Sequence, residues 1–223
     1  NTLKAAIAFK NSKLGIPILI GKEELIKKQI KKIGYQENFD IEIVNSKDTP
    51  KREKYVKHLF KRLQREKGML EWDCDRLIRN DRVIWASCMV ACKDADAMVT
   101  GNIRHYAASI EKLKHVCDAR KGEPIFGLTM IVFKGRTVLV ADTNVEDFPS
   151  AKRLVEISKS CVRVSKLFGF DPKVAFLSHS TFGKPISRNT KHVRDAINML
   201  KDEKVDFDFD GEMQPDVALN PVY

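Results

Sequence analysis

Apolar positions recur along this chain in two alternating periods. Pro17–Ile20 is a short continuous apolar run closed by Gly21, which reads as a buried strand. Glu23–Ile33 follows with Leu25, Ile26, Ile30 and Ile33 at helical spacing, and Gly34 suits the left-handed position after a helix. Ile41–Val44 reads as a second strand ended by the turn residues Asn45, Ser46 and Asp48. Val56, Leu59, Phe60 and Leu63 then mark one helical face, and Leu70–Arg79 and Asp81–Lys93 continue as helices. Asn1–Lys10 already carries a helical pattern.

The second half is more strongly punctuated. Ala97–Thr100 reads as a short buried strand, and Gly101-Asn102 lead into a helix over about Arg104–Val116. Leu128–Phe133 and Thr137–Ala141 flank Lys134-Gly135-Arg136, a tight hairpin signal. Pro149 suits the first turn of a long helix that runs to Leu167 and stops at Gly169. Val174–Leu177 is a further strand, Thr190–Lys201 a helix, and Val205–Phe209 a last strand before Asp210-Gly211-Glu212. Repeated strand–loop–helix units predict the α/β class: a three-layer αβα arrangement of a mostly parallel sheet, with one antiparallel hairpin inserted. The change from a lysine-rich to a glycine-punctuated half places a boundary near Lys93–Asp96. That divides the chain into packed subdomains at 1–94 and 95–223.

Composition narrows the class. The 223 residues are 43% hydrophobic and 31% charged, an ordinary globular balance, and no apolar run approaches the roughly 18–20 residues of a membrane span. The chain opens on Asn with helical pattern from the start, so we expect it to be part of something longer. Its five cysteines (Cys74, Cys88, Cys92, Cys117, Cys161) form no CxxC pair, which points to buried thiols in a reducing cytoplasm and not to a zinc site. The formal net charge is +10, with roughly 17 Lys/Arg against 8 Asp/Glu in residues 1–70. Such an excess admits a basic interaction module for nucleic acid or a partner. However, Lys27, Lys28, Lys31 and Lys32 share a helix with Leu25, Ile26, Ile30 and Ile33, which describes a solvated outer face. No aromatic-interleaved basic run supports nucleic acid.

In an open α/β sheet, ligands bind beyond the carboxyl ends of the strands. That rule selects Thr100-Gly101-Asn102, Asp142-Thr143-Asn144, Ser178-His179-Ser180-Thr181 and Asp210-Gly211-Glu212. Small polar residues before helices, whose first N–H groups are free, suit an anionic ligand. The same residues also cap helices and close turns, and spacing alone does not choose between the two. His179 between two serines makes no triad, because neighbours on a loop point apart and no acid is assignable. Gly101-Asn102-Ile103-Arg104 is not a dinucleotide fingerprint, and no phosphate-loop motif occurs. Asp206, Asp208 and Asp210 alternate with Phe207 and Phe209, which suits a half-exposed edge strand better than a metal site.

Four segments carry a resemblance, in one order along the chain: Ala95–Gly101, Thr137–Thr143, Val174–Gly183 and Asp210–Leu219. Together they resemble the phosphate acetyltransferase family. His179 after Ser178, and Arg104-His105-Tyr106 after the first glycine loop, are most similar to the C-terminal phosphotransacetylase-like domain of bacterial NADP-dependent malic enzymes. The resemblance implies two α/β subdomains with a cleft, related to the isocitrate and isopropylmalate dehydrogenases. It also implies acetyl exchange between coenzyme A and phosphate in the working enzymes. This chain has His105, Tyr106, Glu111 and Lys112 where the family carries a Ser/Thr pair and then Arg-Pro, and Glu111 would repel a phosphate dianion. The family's catalytic Ser-Arg and Asp belong to a segment expected beyond Tyr223. The resemblance therefore implies no catalytic residue and no metal ligand here, but a sensor of acetyl-CoA within an oligomeric malic enzyme. Its contacts would be Asn102, Arg104, Tyr106, Thr143, Ser178, His179 and Ser180. Malate oxidation, NADP and the divalent metal would belong to a catalytic domain in the same polypeptide. A fragment of an active phosphate acetyltransferase is the alternative.

Overall fold

The computed structural model describes residues 1–34, 41–47, 49–101, 104–184 and 190–220. Two compact units follow one another, 1–118 and 119–223.

In the first unit, α1 (Thr2–Asn11), β1 (Ile18–Ile20), α2 (Glu23–Lys32) and β2 (Glu42–Val44) form a small layer. β1 and β2 pair in parallel, and Ile7, Leu19 and Ile41 are buried together beside them. The larger core comes from α3 (Arg52–Lys67), α4 (Glu71–Asn80), α5 (Arg82–Ala91) and α6 (Tyr106–Val116). α3 buries Tyr55, Val56, Leu59 and Leu63 on one stripe and ends at Gly68 in the left-handed region. Tyr55 meets Trp85 of α5 edge to face at 4.8 Å. α3 also caps α6: Arg62 Nε donates to the His115 carbonyl at 3.1 Å, and His58 Nε2 lies 3.0 Å from that of Val116. These contacts carry α6 into the first unit and set the division after Asp118, later than the boundary expected near Lys93–Asp96.

The second unit opens with the hairpin β3 (Thr129–Phe133) and β4 (Arg136–Val140), turning through Lys134 and Gly135, both at positive φ. That is the conformation a two-residue hairpin turn demands. α7 (Ala151–Leu167) starts on Ser150, whose hydroxyl accepts from the Arg153 amide. It packs with α8 (Lys191–Glu203) over β5 (Val174–Leu177) and β6 (Phe209–Met213), burying Val155, Phe176, Val193, Ala196, Ile197 and Leu200. The short helix α9 (Pro215–Ala218) follows.

The fold is thus mixed α/β with parallel strands, and three readings need correction. Among the described residues the strands form three separate two-stranded sheets and not one mostly parallel sheet. Ala97–Thr100 is not a strand: among the described residues it has no ladder partner, and Val99 is fully exposed. The last strand begins at Phe209, so Asp210-Gly211-Glu212 lie within it and not in a loop beyond it. Asp206 and Asp208 precede it and are ion-paired with Lys166 and Lys173.

Candidate ligand-binding site

β5 and β6 run in parallel, so their carboxyl ends share one rim, and the register shifts between Phe176 and Leu177. Gly211 makes the close approach possible, since a Cβ there would lie 2.7 Å from the Phe176 carbonyl oxygen. Beyond β5 the chain folds back on itself. The Ser178 hydroxyl accepts from the Ser180 amide and lies 3.2 Å from the Ser180 hydroxyl. Thr181 and Lys184 exchange backbone hydrogen bonds around Phe182 and Gly183, and the Phe182 amide donates to the Glu212 carbonyl at 2.7 Å. From the β6 side, Gln214 Nε2 donates to the His179 carbonyl at 2.8 Å.

Glu212 organises this rim from inside. Only 1% of it is exposed, and Arg194 Nη1 on the first turn of α8 donates to Oε1 at 2.8 Å while also bonding the Thr190 hydroxyl. Burial pushes the Glu212 carboxyl up. The Ser180 and Thr190 hydroxyls and the Arg194 guanidinium more than offset this, and the group is held below the usual carboxylate range. Oε2 is buried without a well-formed hydrogen bond. One residue therefore ties the Ser180 turn, the start of α8 and the end of β6 together.

A second cluster sits in the first unit. Asp81 caps α5 by accepting from the Val83 and Ile84 amides. Its other oxygen takes Arg104 Nη1 at 2.7 Å and Lys112 Nζ. Burial raises the Asp81 pKa, but hydrogen bonds from Lys112, Arg104 and the two amides outweigh it and the net direction is down.

The expected contact residues are drawn from both units. Arg104 and Tyr106 belong to the first unit; Thr143, Ser178, His179 and Ser180 belong to the second. Asn102 and Asp48 lie outside the described residues. Arg104 already serves Asp81, and Tyr106 is exposed at the start of α6. Thr143 is tied to the hairpin base, its amide donating to Gly127 and its hydroxyl 3.0 Å from that of Thr129. Ser180 is wholly buried and faces Glu212, so its hydroxyl works within the fold, which leaves Ser178 and the exposed His179 as the accessible members of the turn. Thr190 and Arg194 are absent from the expected set, whereas Glu212 falls in the selected Asp210-Gly211-Glu212 segment but is buried as the anchor of the rim. The available signal was Arg194 in the first turn of a helix, where the dipole disfavours a cation unless a carboxylate is present.

The comparisons with known proteins bear on the whole chain. The family described as phosphate acetyl/butaryl transferase matches residues 1–223. The chain belongs to the phosphate acetyl/butaryl transferase family. Among relatives, it is 40% identical over 219 residues to the NADP-dependent malic enzyme of Rhizobium meliloti (strain 1021), covering 98% of this chain and 29% of that protein. It is 36% identical to a probable NADP-dependent malic enzyme of Rickettsia prowazekii (strain Madrid E), covering 98% and 30%. The chain thus spans about 30% of the length of these relatives. Of solved structures, a phosphotransacetylase from Streptococcus pyogenes superposes with a TM-score of 0.85 at 26% identity, over 99% of this chain and 67% of that one. This member of the transferase family therefore shares its overall fold with a solved phosphotransacetylase.

Proposed function

We propose that this chain is the phosphotransacetylase-like part of an NADP-dependent malic enzyme, that it binds acetyl-CoA as an effector, and that it does not transfer the acetyl group. The observation that carries the non-catalytic part is the Asp81 cluster. Arg104 and Lys112, cations in and beyond the Gly101 loop, both neutralise one buried carboxylate and are not left to hold a phosphate dianion. Glu111 beside them adds negative charge where the family resemblance calls for arginine. Binding is supported by the family match and by the hydroxyl and backbone groups of the Ser178–Thr181 turn, which Glu212 holds in place. Acetyl-CoA would act by preferring one of two arrangements of the parent protein, and its differential affinity sets the size of the effect.

On this reading malate oxidation, NADP and the divalent metal belong to the catalytic portion of a longer, cytoplasmic, homo-oligomeric protein. Among the described residues here, no group of three His, Cys, Asp or Glu is placed to hold a metal ion. No helix among them is long and apolar enough to cross a membrane. The two-unit plan would also be the one shared with the isocitrate and isopropylmalate dehydrogenases.

The test uses the full malic enzyme. Malate-dependent NADP reduction should fall on adding acetyl-CoA, while acetyl-CoA plus phosphate should yield no acetyl phosphate. Robust acetyl phosphate formation would favour the alternative, an active acetyltransferase. Malate oxidation indifferent to acetyl-CoA would remove the sensor.

A further inference from the structure

The turn that closes the Ser178 rim carries an aromatic residue where the backbone disfavours one. Thr181 and Lys184 exchange backbone hydrogen bonds of 3.0 and 3.1 Å, so Phe182 and Gly183 are the two central residues of a tight hairpin turn. Both have positive φ, 48° and 81°. Such a turn selects Asn, Asp or Gly at its first central position, and a bulky ring there is a genuine outlier. Burial does not offset the strain. Phe182 is 58% exposed and meets no other ring among the described residues. The surrounding backbone nevertheless holds it in place. The Phe182 amide donates to the Glu212 carbonyl at 2.7 Å, and the Gln214 amide donates to the Thr181 hydroxyl at 3.4 Å. A strained residue fixed by its surroundings at a candidate site points to a functional demand on it.

Lys184, two residues on, is exposed, and among the described residues its ammonium has no partner. The ring's neighbours in the turn, His179, Thr181 and Lys184, are polar, which does not describe an apolar docking face. An open, rigid ring beside a free cation suits a ligand that joins a flat heteroaromatic group to a phosphate. Bases stack on aromatic faces, and a lysine serves phosphate as a point charge. We propose that Phe182 is the platform on which the adenine base of acetyl-CoA stacks, and that Lys184 meets a phosphate of the same nucleotide half. The inference rests on the effector reading above and adds which part of the ligand this turn reads. It makes the nucleotide, and not the thioester, the group that Phe182 and Lys184 select.

Isothermal titration tests it, with acetyl-CoA and with S-acetylpantetheine, which carries the same thioester but no nucleotide. Base–aromatic stacking is worth roughly 5- to 150-fold in affinity. Phe182→Asn should therefore bind acetyl-CoA at least fivefold more weakly, and Phe182→Tyr should bind it as the parent does. Lys184→Gln should weaken acetyl-CoA several-fold at low salt. S-acetylpantetheine should not distinguish any of these chains. Circular dichroism should show Phe182→Asn melting at or above the parent, because Asn suits the left-handed region. A lower melting temperature, with a loss of affinity that both ligands share, assigns Phe182 to packing and overturns the subsite. A parent chain that binds acetyl-CoA, with unchanged affinity in Phe182→Asn, overturns this inference alone. A parent chain that binds no acetyl-CoA at millimolar concentration overturns the effector reading and this inference with it.

Discussion

Removing Arg194 should expose how much the rim of the second unit depends on one buried charge. Arg194→Ala leaves the Glu212 carboxylate 1% exposed, without its charged partner and without the 2.8 Å hydrogen bond. Truncating one member of a fully buried pair costs about 3–5 kcal/mol. The Arg194 side chain is 35% exposed, and water screens that fraction, so the expected cost is about 2 kcal/mol. Both tryptophans, Trp72 and Trp85, lie in the first unit, so intrinsic fluorescence is the wrong probe. Amide hydrogen exchange over β5 and β6 reads the second unit directly, and about 2 kcal/mol corresponds to roughly 30-fold faster exchange there.

The pH dependence separates charge from packing. Glu212 titrates below its ordinary value in the folded chain. Its ionised form therefore contributes stability above about pH 4.3, and that contribution is lost as pH falls through the folded pKa. In Arg194→Ala the carboxyl has lost that support, so acid relieves the variant and the gap from the parent should narrow as pH falls towards the lowered folded pKa of the parent. Glu212→Gln leaves a part-exposed cation in place of a buried anion and should cost less than Arg194→Ala. The double variant should cost less than the two single changes together. Exchange over β5 and β6 within threefold of the parent, or a deficit that is the same at pH 4 and pH 7, would refute the reasoning.

Further outcomes follow from neighbouring geometry. Asp81→Asn keeps an α5 cap but strips Arg104 and Lys112 of their anion. It should cost about 1–2 kcal/mol at pH 7 by urea melts and strengthen binding of inorganic phosphate in calorimetry. Because the Asp81 pKa is lowered, that cost should vanish as pH falls through its folded value. Gly127→Ala sets a Cβ 2.2 Å from the Thr143 carbonyl oxygen, so the hairpin base must open, and exchange at the Thr143 amide should rise at least tenfold. The Cys161 thiol, pushed up to about 12 by burial and the nearby Asp142 charge, should resist alkylation at pH 8 in the native chain and react on unfolding.

Much of the fold is legible where local chemistry and tertiary packing agree. The helical stripe of Val56, Leu59 and Leu63 is the buried face of α3, and Lys134-Gly135 is the turn between β3 and β4. Reading fails where an element depends on its partner. Val205, Phe207 and Phe209 alternate like a strand, yet the ladder with β5 starts only at Phe209 and passes through Gly211, where Phe176 leaves no room for a side chain. Ala97–Thr100 is apolar enough for a strand, but among the described residues nothing pairs with it. The candidate site is legible at the Ser178 turn, since small polar residues after an apolar strand announce a rim. Its anchor is only half legible: Glu212 lies in a segment that the strand-end rule selects, but nothing in the sequence marks Arg194 as its partner, and the parallel pairing of β5 with β6 carries the carboxylate inside.

Isothermal titration of acetyl-CoA into the parent chain and into Ser178→Ala is the most direct trial of the sensor reading. Saturable binding by the parent chain is expected, with at least a tenfold loss of affinity on removing the hydroxyl. No saturable heat in the parent chain up to millimolar ligand, or unchanged affinity in Ser178→Ala, would contradict it.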